Sequence, residues 1–240
     1  MKTETIILLG MLLTIMVLIH KVYQMPLNGK TFLINSYLYI IFSFIFIALI
    51  GKYTETMPIT DRENMWKLVL LYFALGFGGI CMMVMSESSV GRHTGFLLLL
   101  SGIALVIGSV FKYSSNVFQA AAITAGMVSI ITFVIFISSE ETLMKMKGWT
   151  NTLHWLLWIA IIAELAYILI VGVETPAINS VISMAIIGLF VFFILSDTSE
   201  LLIKSKNLKC KEHSCVNYPL ESSSLMLDYL NIFVRLTNHK

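Results

Sequence analysis

The feature that most constrains this chain is a set of long apolar runs without a single Asp, Glu, Lys or Arg: residues 32–51, 68–85, 94–111, 117–138 and 178–196. About 20 such residues, rising about 1.5 Å each as a helix, cross a hydrocarbon core roughly 30 Å thick. Inside that core water cannot satisfy the backbone, so each run must bond its own N–H and C=O groups as a helix. A sixth run, 152–173, qualifies but for Glu164. The stretch "TIILLGMLLTIMVLIH", residues 5–20, follows a single lysine and lacks a small-residue cleavage site, and therefore reads as a retained anchor helix. The last run, 221–236, is the shortest and most polar, either a full span or a re-entrant helix.

Composition agrees. Of the 240 residues 58% are hydrophobic and 12% charged, against roughly 25% charged in a soluble domain. The expected fold is all-α, a polytopic helix bundle forming a single integral membrane domain over 1–240, with 5–20 as an anchor and 32–237 as the bundle. A net charge of +2 excludes the basic surplus of a nucleic-acid-binding protein. There is no P-loop, dinucleotide glycine fingerprint or HExxH, and no Ser/His or Asp/Asp motif in a Gly-rich loop that would suggest an intramembrane enzyme. The expectation is therefore a non-enzyme without cofactor. Three cysteines give no even disulfide framework.

Lys and Arg in short loops set the orientation. The richest loops are "SSEETLMKMKGWT" and "KSKNLKCKEHSC", two spans apart and so on one side, the cytoplasmic one; the turn "VETPA" between those spans has no positive charge. Alternation places "SESSVGRH" and "HKVYQMPLNGK" on the cytoplasmic side as well, and 52–65 opposite.

An ionised carboxylate at mid-span costs about 2.5–3.5 kcal/mol on insertion scales, which makes each intramembrane acid a functional hypothesis. In "SSSLMLDYLNIFVRL", residues 222–236, helical spacing places Ser224, Asp228, Asn231 and Arg235 on one face. That stripe must meet protein or water; a helix lying on the membrane surface is the competing reading, although such helices favour lysines on their polar face. Asp197 closes the run "AIIGLFVFFILSD" at the cytoplasmic end of its span, where the next span begins and can bring Asp228 beside it. Two carboxylates in a partly dry site cannot both ionise cheaply, so they share a proton and titrate as a unit near neutral pH. Glu164 is either a cation-coordinating pathway residue, since calcium takes oxygen ligands, or a protonated acid hydrogen-bonded to a neighbour. His154, near the start of its run among Trp155 and Trp158, reads as part of an interfacial aromatic belt. Cys210, His213 and Cys215 lack the fourth ligand of a structural zinc site and read as an ordinary loop, so no metal is expected.

The sequence "ILSDTSELL", a basic loop, and then "LMLDYLNIFVRL" together resemble the C-terminal signature of the transmembrane Bax inhibitor motif (Bax inhibitor-1) family. "NVFQAAAITAGMVSIITFVIF" followed by "KMKGW" resembles its fourth span and basic loop. Ser196 and Ser199 depart from the tyrosine and glutamine usual around the first aspartate. The resemblance implies six or seven spans and a calcium leak controlled by an aspartate pair, here Asp197 and Asp228. It also implies a basic latch. Arg92 takes that place if 5–20 is an added helix, and Lys52 if 5–20 is the family's first span; Arg92 preserves the parity of the C-terminal half. Asn231 and Arg235 are further pathway candidates.

The function expected on these grounds is a pH-sensitive calcium leak with effects on ion homeostasis or cell death. The alternatives are a non-conducting module that regulates membrane-protein partners, and a proton-coupled cation exchanger. Expected partners are membrane lipid, calcium ions, protons and other membrane proteins. Expected locations are the endoplasmic reticulum or Golgi of a eukaryotic or infected cell, or a bacterial inner membrane.

Overall fold

The structure, a computed structural model, describes residues 3–60, 62–113, scattered positions between 120 and 149, 150–171, 176–209 and 211–238. Among the described residues the regular elements are all helical: α1 (Thr3–Tyr23), α2 (Gly29–Thr54), α3 (Met65–Met85), α4 (Ser89–Tyr113), α5 (Thr150–Val171), α6 (Pro176–Lys206) and α7 (Tyr218–Asn238). Five stretches are long and apolar enough to cross a membrane: Thr5–Tyr23, Gly29–Thr54, Met65–Met85, Ser89–Tyr113 and Val181–Lys206. Thr152–Ala163 forms a shorter apolar stretch of α5. The run 117–138 falls largely outside the described residues, as does the turn "VETPA".

The chain divides into two compact units, Met1–Ser115 with Lys204–Met226, and Asn116–Ile203 with Leu227–Lys240. In the first, α2 packs on α1 and α4, and α4 packs closely on α3. Asn28 starts α2 with a reciprocal cap. Its side chain accepts from Thr31 N at 3.0 Å, and Thr31 Oγ1 accepts from Asn28 N at 2.9 Å, satisfying two N–H groups that a helix start leaves without partners. Ser88 Oγ does the same for Gly91 N at 3.0 Å beside the start of α4. Asn217 serves two helices at once: its Nδ2 donates to Met83 O at 2.8 Å, near the end of α3, and its Oδ1 accepts from Leu220 N at 3.3 Å in the first turn of α7.

Small residues set the closest approach. A Cβ on Gly79 would lie 2.5 Å from Gly95 O, and one on Gly95 would lie 2.6 Å from Gly79 O. The backbones of α3 and α4 therefore meet where neither helix has a side chain, as small residues allow in membranes, where dispersion contacts replace the hydrophobic driving force between helices.

In the second unit α6 supplies Ile186, Ile187, Phe190, Phe193 and Ile194 to the core, with Leu153 from α5 and Tyr229, Ile232 and Phe233 from α7. The His154 ring meets Phe193 edge-on at 4.9 Å, while Trp155 and Trp158 remain exposed, the placement expected of an aromatic belt.

Two expectations about element ends change. The N-terminal helix runs on through Tyr23, and α6 does not stop at Asp197 but continues to Lys206. "TSELLIKSK" contains no Gly or Pro and several good helix formers, so nothing ends the helix where its apolar stretch ends. Asp197 is thus an interior helical residue.

Gly78, beside Gly79 on α3, would have nothing within 4 Å of an added Cβ, which provides a matched comparison. Gly79→Ala is expected to destabilise the chain by about 1–3 kcal/mol through forced separation of α3 and α4. Gly78→Ala is expected to leave stability unchanged or raise it by up to about 1 kcal/mol. Thermal unfolding of both variants in detergent checks the difference in sign.

Candidate functional site: a carboxylate pair and a buried aromatic cluster

Asp197 and Asp228 belong to the same compact unit, one on α6 and one on α7. Both are half-buried, and the Asp197 charge acts directly on Asp228, itself partly withdrawn from solvent. Asp197 is flanked by buried hydroxyls, Ser196, Thr198 and Ser199; Ser199 Oγ donates to Leu195 O at 2.6 Å. The serines that replace the usual family residues therefore keep this stretch of α6 polar, compact and helical.

The stripe on α7 lies along one face, as its spacing requires. Ser224 and Asn231 are exposed, Asp228 and Arg235 half-buried. The opposite face, carrying Leu225, Met226, Tyr229 and Ile232, is fully buried. This helix therefore turns its apolar side into protein. Asn231 Nδ2 donates to Leu227 O at 3.0 Å, which returns its amide to its own helix. Arg92, in the first turn of α4, donates from Nε to Ser86 O at 3.1 Å, and its charge acts on Tyr23. The side chain of Glu164 lies outside the described residues.

A second constellation, absent from the sequence expectations, gathers at one end of the first unit. His213 sits in a 3₁₀ turn, His213–Cys215, of the loop between α6 and α7, and is only 4% exposed. Its Nδ1 shares a 2.6 Å hydrogen bond with Tyr218 OH. Its ring stacks on Tyr218 at 5.8 Å and meets Tyr23 at 5.5 Å. Tyr218 in turn stacks on Tyr39 at 5.7 Å, with an interplanar angle of 13°. From Tyr39 a hydrogen-bonded chain leads outward. His93 Nδ1 faces Ser89 O at 2.7 Å; a carbonyl only accepts, so Nδ1 carries a proton, and Nε2 is hydrogen-bonded with Tyr39 OH. Tyr39 OH also shares a hydrogen bond with Tyr23 OH at 3.3 Å.

The loop reading of Cys210, His213 and Cys215 gains detail here. The His213 imidazole is engaged by Tyr218, and Cys215 is disulfide-bonded while Cys81 is a free thiol, a pairing that the odd cysteine count gave no reason to expect. No local sequence signal marks the cluster. Its members are too far apart in the chain for spacing to join them.

Burial holds the His213 imidazole below its ordinary value of 6.5, opposed in part by the neighbouring Met25 backbone. A histidine whose folded-state pKa is depressed stabilises the docked state fully above the unfolded pKa, and that stability declines as pH falls from there toward the folded value. The loop is therefore expected to loosen as pH drops below about 6.5. Amide-exchange protection over residues 211–217, measured across that range, checks this. His213→Gln, which cannot titrate, should flatten the profile.

Comparison with known proteins gives one match. Residues 29–239 match the family described as Inhibitor of apoptosis-promoting Bax1. No curated protein and no solved structure matches the chain. The match takes in α2 to α7, both aspartates and Arg92. On the extent of that match, together with the membrane-length helices, the chain belongs to the Bax inhibitor-1 family of membrane proteins.

Proposed function

We propose that the protein is a pH-sensitive calcium leak in which Asp197 and Asp228 form the titratable gate. The observation that carries this reading is the placement of Asp197 and Asp228, both half-buried, on two helices of one compact unit. Carboxylates placed this way repel each other when both are ionised, and a single shared proton relieves the repulsion. Gain or loss of that proton changes the force between α6 and α7 directly, since each helix carries one member. The polar stripe around Asp228 supplies oxygen ligands of the kind calcium prefers, with Asn231 and Arg235 on the same face. Glu164 is a further pathway carboxylate in this proposal. The latch role of Arg92 rests on the family resemblance alone.

The gate predicts a specific loss. In liposomes loaded with a calcium indicator, flux through the wild-type chain should vary between about pH 5 and about pH 8, the range over which a coupled carboxylate pair titrates. Asp228→Asn and Asp197→Asn should each abolish that variation, because a lone carboxylate no longer shares its proton. Asp197→Glu, which keeps the charge, should retain it. A pH profile unchanged by either Asn variant would remove the gate, and no cation flux at all from wild-type protein would favour a non-conducting interaction role.

A further inference from the structure

Three loops that the charge alternation assigns to one side of the membrane meet at one end of the first unit. The α1–α2 turn joins the α6–α7 loop through the Tyr23 and His213 rings. It joins the end of α6 where Gly29 abuts Ser205; a Cβ on that glycine would lie 2.8 Å from Ser205 O. The α3–α4 turn joins the same end through Asn217 and Met83 O, and through His93 and Tyr39. The assembly gathers charge of one sign. Lys21 and Lys30 flank the first turn, and Lys204, Lys206, Lys209 and Lys211 fall in and before the last loop, all exposed. The acids on these segments are Glu87, Glu212 and Glu221, and Lys204 takes Glu221 at 2.7 Å. At the other end of the unit Lys52 is paired with Glu55 at 2.8 Å, and no such excess builds up.

Two further observations separate this surface from an ordinary basic loop. The first is depth. Candidate spans end at Tyr23 and begin at Gly29, so Lys21 and Lys30 sit at span ends, where lipid headgroups are met, while Lys204 and Lys206 follow the apolar stretch of α6 that closes at Asp197. The second is order. His213 is buried against Tyr23 and Tyr218. The loop is therefore held beside the α1–α2 turn, and its lysines lose little freedom when an anion binds.

We propose that this end of the molecule is a binding platform for the headgroups of anionic phospholipids. Lysines at the membrane surface attract such lipids by about 1 kcal/mol each, roughly a fivefold change in affinity per charge. The platform uses none of the residues assigned to the carboxylate gate, so its test does not depend on calcium flux.

The test is native mass spectrometry of the full-length chain, released from detergent containing graded amounts of phosphatidylserine or phosphatidylcholine. Phosphatidylserine should bind at the lower lipid concentration. A variant combining Lys21→Gln, Lys30→Gln, Lys209→Gln and Lys211→Gln, all at exposed positions, should lose affinity by about fivefold for each lysine removed. Lys67→Gln with Lys112→Gln, at the opposite end of the unit, should leave it unchanged. Inorganic phosphate at the same concentration as the lipid should not displace it. Equal binding of phosphatidylcholine, full affinity in the four-lysine variant, an equal loss in the control variant, or displacement by inorganic phosphate would each overturn the platform.

Discussion

A polypeptide inside hydrocarbon has no solvent to bond with, and the rest of this structure depends on that restriction. Each backbone polar group must find a partner within the chain, so the membrane segments are helical, and any polar side chain on them is placed at a cost. Here the cost is met locally at several serine hydroxyls. Ser36 donates to Phe32 O and Ser43 to Tyr39 O, each one turn back along α2; Ser222 donates to Tyr218 O on α7. Such back-bonded serines are small and self-satisfied, and they let neighbouring helices come close without demanding a partner from them. Gly79 and Gly95 carry the same logic to its limit by removing the side chain altogether.

Groups that cannot satisfy themselves are treated differently. A phenol or an imidazole reaches further than a serine hydroxyl, and Tyr23, Tyr39, His93, His213 and Tyr218 of the first unit are gathered from separate segments into one stacked and hydrogen-bonded cluster. Rings offer a large apolar face for packing and a polar edge that needs one partner, which suits the boundary between hydrocarbon and headgroups. Placing that cluster at the helix ends has a mechanical consequence: the turn after α1, the start of α4, the loop after α6 and the start of α7 are fastened to one another. Loops rich in lysine would otherwise repel and spread. The aromatic contacts hold their backbone together while the charges point outward.

How much of this could be read from the chain depends on the range of the interaction. Apolar runs report helices directly, because the membrane acts on every residue of a span, and α1 to α4 and α6 lie where those runs lie. The stripe on α7 was equally legible, since Ser224, Asp228, Asn231 and Arg235 are related by local helical spacing. Helix ends were less so. Asp197 marks the end of an apolar run, but helix formation continues past it until Lys206 because polar helix formers follow. The cluster of Tyr23, Tyr39, His93, His213 and Tyr218 was not legible at all. It is fixed by the packing of helices distant in sequence, and no local pattern encodes which ends will meet.

The pairing of Asp197 with Asp228 poses a sharper question, which is why two like charges should be held together when a hydroxyl would pack as well. A purely structural role is a poor explanation. Burying and opposing two carboxylates destabilises the folded state whenever both are ionised, and polar groups of the same size without charge would avoid that penalty. Ser196, Thr198 and Ser199 demonstrate that uncharged polar residues fit this stretch of α6, each nearly or fully buried. In the proposed gate the pair is a place where stability is given up for responsiveness. A neutral pair would act between α6 and α7 with a force independent of pH, whereas in the proposed gate the carboxylates make that force vary with proton occupancy. Stability and switching thus pull in opposite directions at these two positions, and substitution by Asn should separate them, quieting the repulsion while removing the response.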